Sequence, residues 1–299
     1  MTKNAHWYHL LALITVIVWG ATFISTKVLI GNGLHPAEIF FYRFLMAYVC
    51  IWFFSWRRLW AASLKDELLF LGAGATGGSL YFLFENTALT ITLASNVALI
   101  LCTAPLLTAF LYFLIHRDEK LKPHFIFGSL IAFTGVALVV FNGGFYLKIS
   151  PIGDVLTLLA ALMWAFYSLI IKSLNTKYPT LFVTRKVFFY GLLTILPVFY
   201  FQPLQFDTRI LLKPAVLMNF LFLGIIASML CYIMWNVATK KLGVVRVTNY
   251  IYLSPVVTLL TSHLFINETI TTIALVGSAL ILSGVYVAER GLNHKKSTN

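Results

Sequence analysis

The chain has 299 residues, 60% hydrophobic and 11% charged, with a mean hydropathy of +0.88. So little polar surface cannot clothe a soluble globule of this length, and lipid is the solvent for most of it. A net charge of +12 raises nucleic acid as a partner, but the placement of the basic residues argues against that reading.

Hydropathy marks ten spans, at 9–30, 37–55, 67–88, 95–115, 124–141, 153–172, 181–201, 215–238, 246–266 and 271–289. Connections are short, and no soluble domain is left over. The first span follows a short polar lead without a small-x-small cleavage site, and so reads as a retained helix, not a signal peptide. With the N-terminus taken as cytoplasmic, 17 of the 22 Lys and Arg fall on that side, in loops such as Arg57-Arg58-Lys65, Arg117-Lys120-Lys122 and Lys240-Lys241-Arg246. Lys148, Arg209 and Lys213 fall on the other side, and Lys27 and Arg43 lie within spans. This positive-inside bias implies ten crossings with both termini inside a cell membrane.

The second half replays the first. Pro105-Leu106-Leu107-Thr108 returns as Pro255-Val256-Val257-Thr258 at an offset of 150, and Gly128-Ser129 with Gly135-Val136 returns as Gly277-Ser278 with Gly284-Val285 at 149. Five spans per half is an odd number, so a second repeat (149–299) would enter the membrane opposite to the first (1–148). The expected fold is all-α, with ten transmembrane helices as two inverted five-helix repeats. That is the usual architecture of secondary transporters, whose halves expose one central site alternately to either side.

Taken in chain order, span one carries Trp19, Thr22, Phe23, Thr26 and Lys27 at helical spacing, and span six reproduces the stripe as Trp164, Tyr167, Ser168 and Lys172 at an offset of 145. Such a face suits a lined cavity; packing with an interfacial anchor is the plainer reading, and Lys172 reads as an end-of-span snorkelling cation. Spans three and eight pair Tyr81, Glu85 and Asn86 with Cys231, Trp235 and Asn236, with Tyr232 one step along. A charge at the bilayer centre costs roughly 2.5–3.5 kcal/mol on insertion scales, so Glu85 calls for a partner or a water-filled path. Lys27 and Arg43 fall at similar depth. The trio reads either as an external gate with a spare cation for a substrate carboxylate or as a static clamp.

Pro105 and Pro255, near mid-span in spans four and nine, each remove a backbone donor and bend the helix, as matched hinges or fixed kinks. Asn96 and Asn249 precede them and are placed to reach the cavity or to satisfy freed backbone groups; His263 reads as an interhelical hydrogen-bond partner. Gly128, Ala132, Gly135, Gly277 and Gly284, with Gly74 and Gly78 in span three, leave helix faces bare for close packing. Cys50, Cys102 and Cys231 show no C-x-x-C spacing and read as small packing residues, without a metal or redox role.

The run Trp19-Gly20-Ala21-Thr22-Phe23, Arg43 in span two, a small-residue third span, the proline of span four and an acidic turn before a Gly-rich fifth span, echoed by Trp164, Arg185, Pro255, Glu268, Gly277 and Gly284, resemble the EamA family of the drug/metabolite transporter superfamily. The resemblance covers nearly the whole chain. It implies a bacterial inner-membrane carrier with a central cavity lined from both repeats, in a family that exports amino acids and other metabolites. The chain departs from its own repeat where Trp235 stands opposite Glu85.

Walker A, H-E-x-x-H and G-x-S-x-G motifs are absent, and such short loops leave no room for a catalytic head. A carrier is therefore expected, with no cofactor, no metal and no enzyme activity; a channel-like facilitator and a membrane enzyme acting on lipid are the alternatives. Aromatic rings with Asn, Thr and one or two cations suit an amino acid or a related zwitterion or anion, and Glu85 makes proton coupling feasible. The topology is checked with single cysteines, in a background lacking the native three, and an impermeant maleimide on intact cells. Labelling is expected at 145–150 and 206–212, with protection at 58–64 and 294–298, and the reverse pattern would overturn the orientation.

Overall fold

The computed structural model describes residues 5–56, 59–92, 94–116, 123–141, 150–204, 208–257, 260 and 271–292. Every regular element among them is helical. Helices occupy all ten expected segments, although the second half of span nine, with His263 and Glu268, lies outside the described residues. Among the described residues six helices are long and apolar enough to cross a membrane, and Pro123–Val139 and Thr272–Ala288 are shorter apolar helices. Span one is Ala5–Gly31, span two Pro36–Trp52, span five Pro123–Phe141, span six Pro151–Lys177 and span ten Thr272–Leu292.

Local chemistry sets the helix starts. Pro36 opens span two, where a missing donor costs nothing, and the Glu38 carboxylate reaches back to accept from the His35 amide at 2.9 Å. Ser63 caps span three by accepting from the Asp66 amide at 3.2 Å. Gly243, at φ 90°, makes the sharp turn that ends span eight.

Spans three and eight are not plain α-helices. Leu64–Ile91 carries a π-helical segment at Ala75–Ser79, and Pro214–Leu242 carries one at Phe222–Leu230. Their positions correspond at the repeat offset of 150. Each widens the hydrogen-bond ladder locally and rotates the side chains that follow it. The prolines likewise give more than a bend. Span four is interrupted at Cys102–Thr103, between Ala94–Leu101 and Ala104–Ile115, so Pro105 sits in the first turn of a new helix and not within a continuous one. Span nine runs from Val244–Thr248 into a 3₁₀ stretch, Asn249–Leu253, just before Pro255.

Spans five and ten form the tightest helix pair. A Cβ on Gly128 would lie 2.3 Å from the Ala288 amide, one on Gly284 2.4 Å from the Ala132 amide, one on Gly135 2.6 Å from the Gly277 carbonyl and one on Gly277 2.7 Å from the Gly135 carbonyl. The helices are thus antiparallel, and the bare faces identified in the sequence are each other's partners. In span three, Gly74 does the same against Tyr190 and Gly191 of the span-seven helix Thr180–Ile195.

Chain direction separates two seams at opposite ends of the bundle. Where span one ends and span two begins, Leu29, Leu34 and Ile39 pack with Val216, Phe220 and Leu223 of span eight, all apolar. Where span three begins, Asp66 pairs with Lys177 at 2.7 Å and Glu67 with Lys186 at 2.8 Å, tying span three to spans six and seven. Tyr178 donates to Asp66 at 2.7 Å and Tyr190 to Glu67 at 2.5 Å.

Replacing Gly284 with Val drives side-chain atoms into the backbone of span five and is expected to cost about 1–3 kcal/mol or more, read as a lower unfolding temperature in detergent. Gly31→Ala, whose Cβ would meet nothing within 4 Å, is expected to leave that temperature unchanged.

Candidate functional site

Between these helices lies a cavity of about 660 Å³, counting its open mouth, walled by spans one, two, three, four, six, eight and nine. Eight of the fifteen residues singled out as binding candidates line it: Trp19, Thr22, Phe23, Arg43, Tyr81, Glu85, Trp164 and Tyr232. The 145 offset between Trp19 and Trp164 becomes a physical contact, with ring centroids 5.2 Å apart and edge to face. Tyr81 and Tyr232 close the aromatic set, at 5.3 and 6.1 Å from Trp164.

The polar groups are held from opposite halves of the chain. Trp19 Nε1 donates to the Ala227 carbonyl at 2.9 Å, and Tyr232 Oη to the Gly77 carbonyl at 2.5 Å. Both acceptors belong to the π-helical segments, where the ladder is disturbed and a carbonyl is open to a side chain. Position 77 is also the repeat equivalent of 227. Tyr232 occupies the carbonyl that would answer Trp164, and Trp164 Nε1 is buried without a hydrogen-bond partner among the described residues.

Arg43, only 2% exposed, donates from Nε to Ser228 Oγ at 3.0 Å and lays its guanidinium 4.2 Å from the Phe82 ring centre. Glu85, 6% exposed, accepts from Tyr81 Oη at 3.0 Å. The two charges share the cavity wall without a direct ion pair to each other. Lys27 does not join them. Two turns beyond Trp19 the helix has rotated by about 80°, which turns Lys27 away to an exposed position.

The other candidates stand behind the wall or elsewhere. Tyr167 is fully buried and donates to Asn236 Oδ1 at 3.0 Å, while Asn236 donates to Thr184 Oγ1 at 3.0 Å. Trp235 is fully buried against Trp19, at 4.9 Å between ring centres, and Asn86 is held by the Pro36 carbonyl at 3.2 Å. Asn249 is buried, with both amide atoms lacking a hydrogen-bond partner among the described residues, and it does not line the cavity. The Asn96 side chain lies outside the described residues. Lys172 does not merely snorkel; it donates to Tyr112 Oη at 2.9 Å over the face of that ring.

Sequence reasoning missed Phe82, Cys102, Ile251, Ser254 and Ser228. Leu101 and Ile251, each four residues before a proline and thus owners of carbonyls the prolines cannot answer, both line the cavity. The Cys102 thiol faces the Ile251 carbonyl at 3.9 Å. The proline positions were therefore a usable signal for this part of the wall.

This organisation has known counterparts. The profile of the EamA-like transporter family matches residues 6–141 and matches again over residues 151–289. The chain belongs to the EamA-like transporter family. An uncharacterized transporter of Archaeoglobus fulgidus is 28% identical, the match covering 93% of this chain and 96% of that protein. A probable amino-acid metabolite efflux pump of Escherichia coli is 26% identical over 96% of each chain, and a probable terminal-alkyne amino-acid exporter of Streptantibioticus cattleyicolor is 27% identical, covering 93% and 92%. One crystal structure superposes with a TM-score of 0.74 over 98% of this chain and 100% of its own at 17% identity, which establishes a shared fold. This EamA-like protein is thus a multi-pass transmembrane transporter.

Tyr232→Phe in this transporter strands the buried Gly77 carbonyl and is expected to lower stability by about 1–3 kcal/mol in detergent melts. Lys27→Gln, at an exposed side chain, is expected to leave both stability and transport within about twofold of the parent.

Proposed function

We propose that this transporter exports an amino acid or a related zwitterion or anion by alternating access through the cavity between its two halves. The observation that carries the reading is one cavity wall bearing both a buried guanidinium, Arg43, and a buried carboxylate, Glu85, not neutralised by each other and facing a set of aromatic rings. Arg43 suits a carboxylate, Glu85 an ammonium group, and Trp19, Trp164 and Tyr232 the apolar remainder of the solute. The printed names of the Escherichia coli and Streptantibioticus cattleyicolor relatives point the same way.

Two inverted repeats, 1–148 and 149–299, supply the motion. The double family match favours duplication. The contacts of spans five and ten favour inversion: Gly128 meets Gly284 and Gly135 meets Gly277, and with 128 equivalent to 277 and 135 to 284 that is the reciprocal pattern of a two-fold axis. In the inner-membrane orientation of the basic bias, with both termini cytoplasmic, the Asp66–Lys177 and Glu67–Lys186 pairs close the cytoplasmic seam and must part for cargo to enter from inside. The interruptions before Pro105 and Pro255 are the places where half-helices swing. Glu85 is the group through which a proton would exchange if transport is coupled.

The test is counterflow of labelled amino acids, nucleotides and organic cations in proteoliposomes, with and without a pH gradient. Amino acids are expected to exchange, and Glu85→Gln and Arg43→Ala each to reduce exchange at least tenfold at normal expression. Because each charge has its own partner, swapping them (Arg43→Glu with Glu85→Arg) is expected not to restore it. Full exchange in both single variants would remove the charges from the solute site.

A further inference from the structure

A second cavity, of about 500 Å³, opens where span two ends and span seven begins, away from the solute site. Arg185 and Lys186 form its floor, only 2% and 3% exposed, and Tyr48, Trp52, Trp60 and Phe189 form its walls. Among the described residues no carboxylate lines it. Arg185 donates to the Ser55 carbonyl and sits 4.9 Å from the Trp52 ring centre; Lys186 sits 5.1 Å from that of Trp60 and turns to Glu67 behind the floor.

The rim is apolar and faces outward. Trp60 is 70% exposed and Leu59 50%, and Phe53, Phe54 and Trp56, just after span two, are exposed as well. Tryptophans at this level of a membrane protein lie among headgroups, and a basic pocket between helices at that depth fits an anionic headgroup while its rim takes the acyl chains. A soluble anion would have no use for so much exposed aromatic surface.

We propose that this cavity binds the phosphate-bearing headgroup of an anionic phospholipid. The lipid braces the end of span two against span seven, beside the Glu67–Lys186 pair. The assignment stands on the cavity alone and does not depend on which solute is carried.

Native mass spectrometry of the delipidated full chain, with phosphatidylglycerol or phosphatidylcholine added, tests it. The parent is expected to hold one phosphatidylglycerol at least fivefold more tightly than phosphatidylcholine, the scale of a single cation at a membrane surface. Arg185→Gln and Trp60→Ala should each abolish most of that preference, and Lys240→Gln, an exposed cation elsewhere, should keep it. Trp60→Ala alters an exposed side chain and reads the site even if Arg185→Gln fails to fold. Equal retention of the two lipids by the parent, or an unchanged preference in Trp60→Ala, would overturn the proposal. So would displacement of phosphatidylglycerol by inorganic phosphate at equal concentration, which would assign the pocket to a soluble anion.

Discussion

In a bilayer no water is at hand to satisfy a stray backbone group, so every opened carbonyl must be met from within the protein. The π-helical segments of spans three and eight disturb their own ladders in the middle of the bundle, and the Gly77 and Ala227 carbonyls there take donors from Tyr232 and Trp19. Both donors are cavity-lining rings. The requirement to satisfy backbone and the placing of aromatic side chains around the cavity are therefore met by the same bonds. Arg43 extends the scheme, since its hydrogen bond to Ser228 roots a buried charge in the second π-helical segment.

The two halves contribute unequally to the site. The first supplies both charges, Arg43 and Glu85, and the second puts Trp235 where a carboxylate would stand. A duplicated sequence pattern thus carries an asymmetric set of charges around its cavity. The same asymmetry leaves the buried Trp164 indole N–H without an acceptor among the described residues, because Tyr232 has taken the equivalent carbonyl.

Much of this was legible in the sequence. Span positions followed from hydropathy, because lipid imposes one simple rule on long apolar segments, and the matched indoles at 19 and 164 followed from the repeat offset. The Gly128, Gly135, Gly277 and Gly284 faces were recognisable as contact surfaces because only close backbone approach explains so many bare positions in two helices. The π-helical segments were not visible: one inserted backbone step leaves composition and hydropathy unchanged while rotating everything after it. Cys102 passed as a packing residue and Ser228 drew no reading at all, since small side chains look alike whether they fill space or face a cavity. Lys177 and Lys186 were counted as topological signals, which hid their ion pairs with Asp66 and Glu67, and Lys27 was carried along a stripe one turn too far.

The seams at the two ends of the bundle differ in kind. One holds a buried apolar cluster of Leu29, Leu34, Ile39, Val216, Phe220 and Leu223 beside the capping carboxylate of Glu38, and the other is tied by ion pairs. Association of apolar surface near room temperature is driven by entropy and is indifferent to dilute salt, whereas partly exposed ion pairs weaken as ionic strength rises. The ion-paired end and the apolar cluster at the other end thus respond to different properties of the medium. Salt and temperature therefore act as separate influences on the two ends of the bundle.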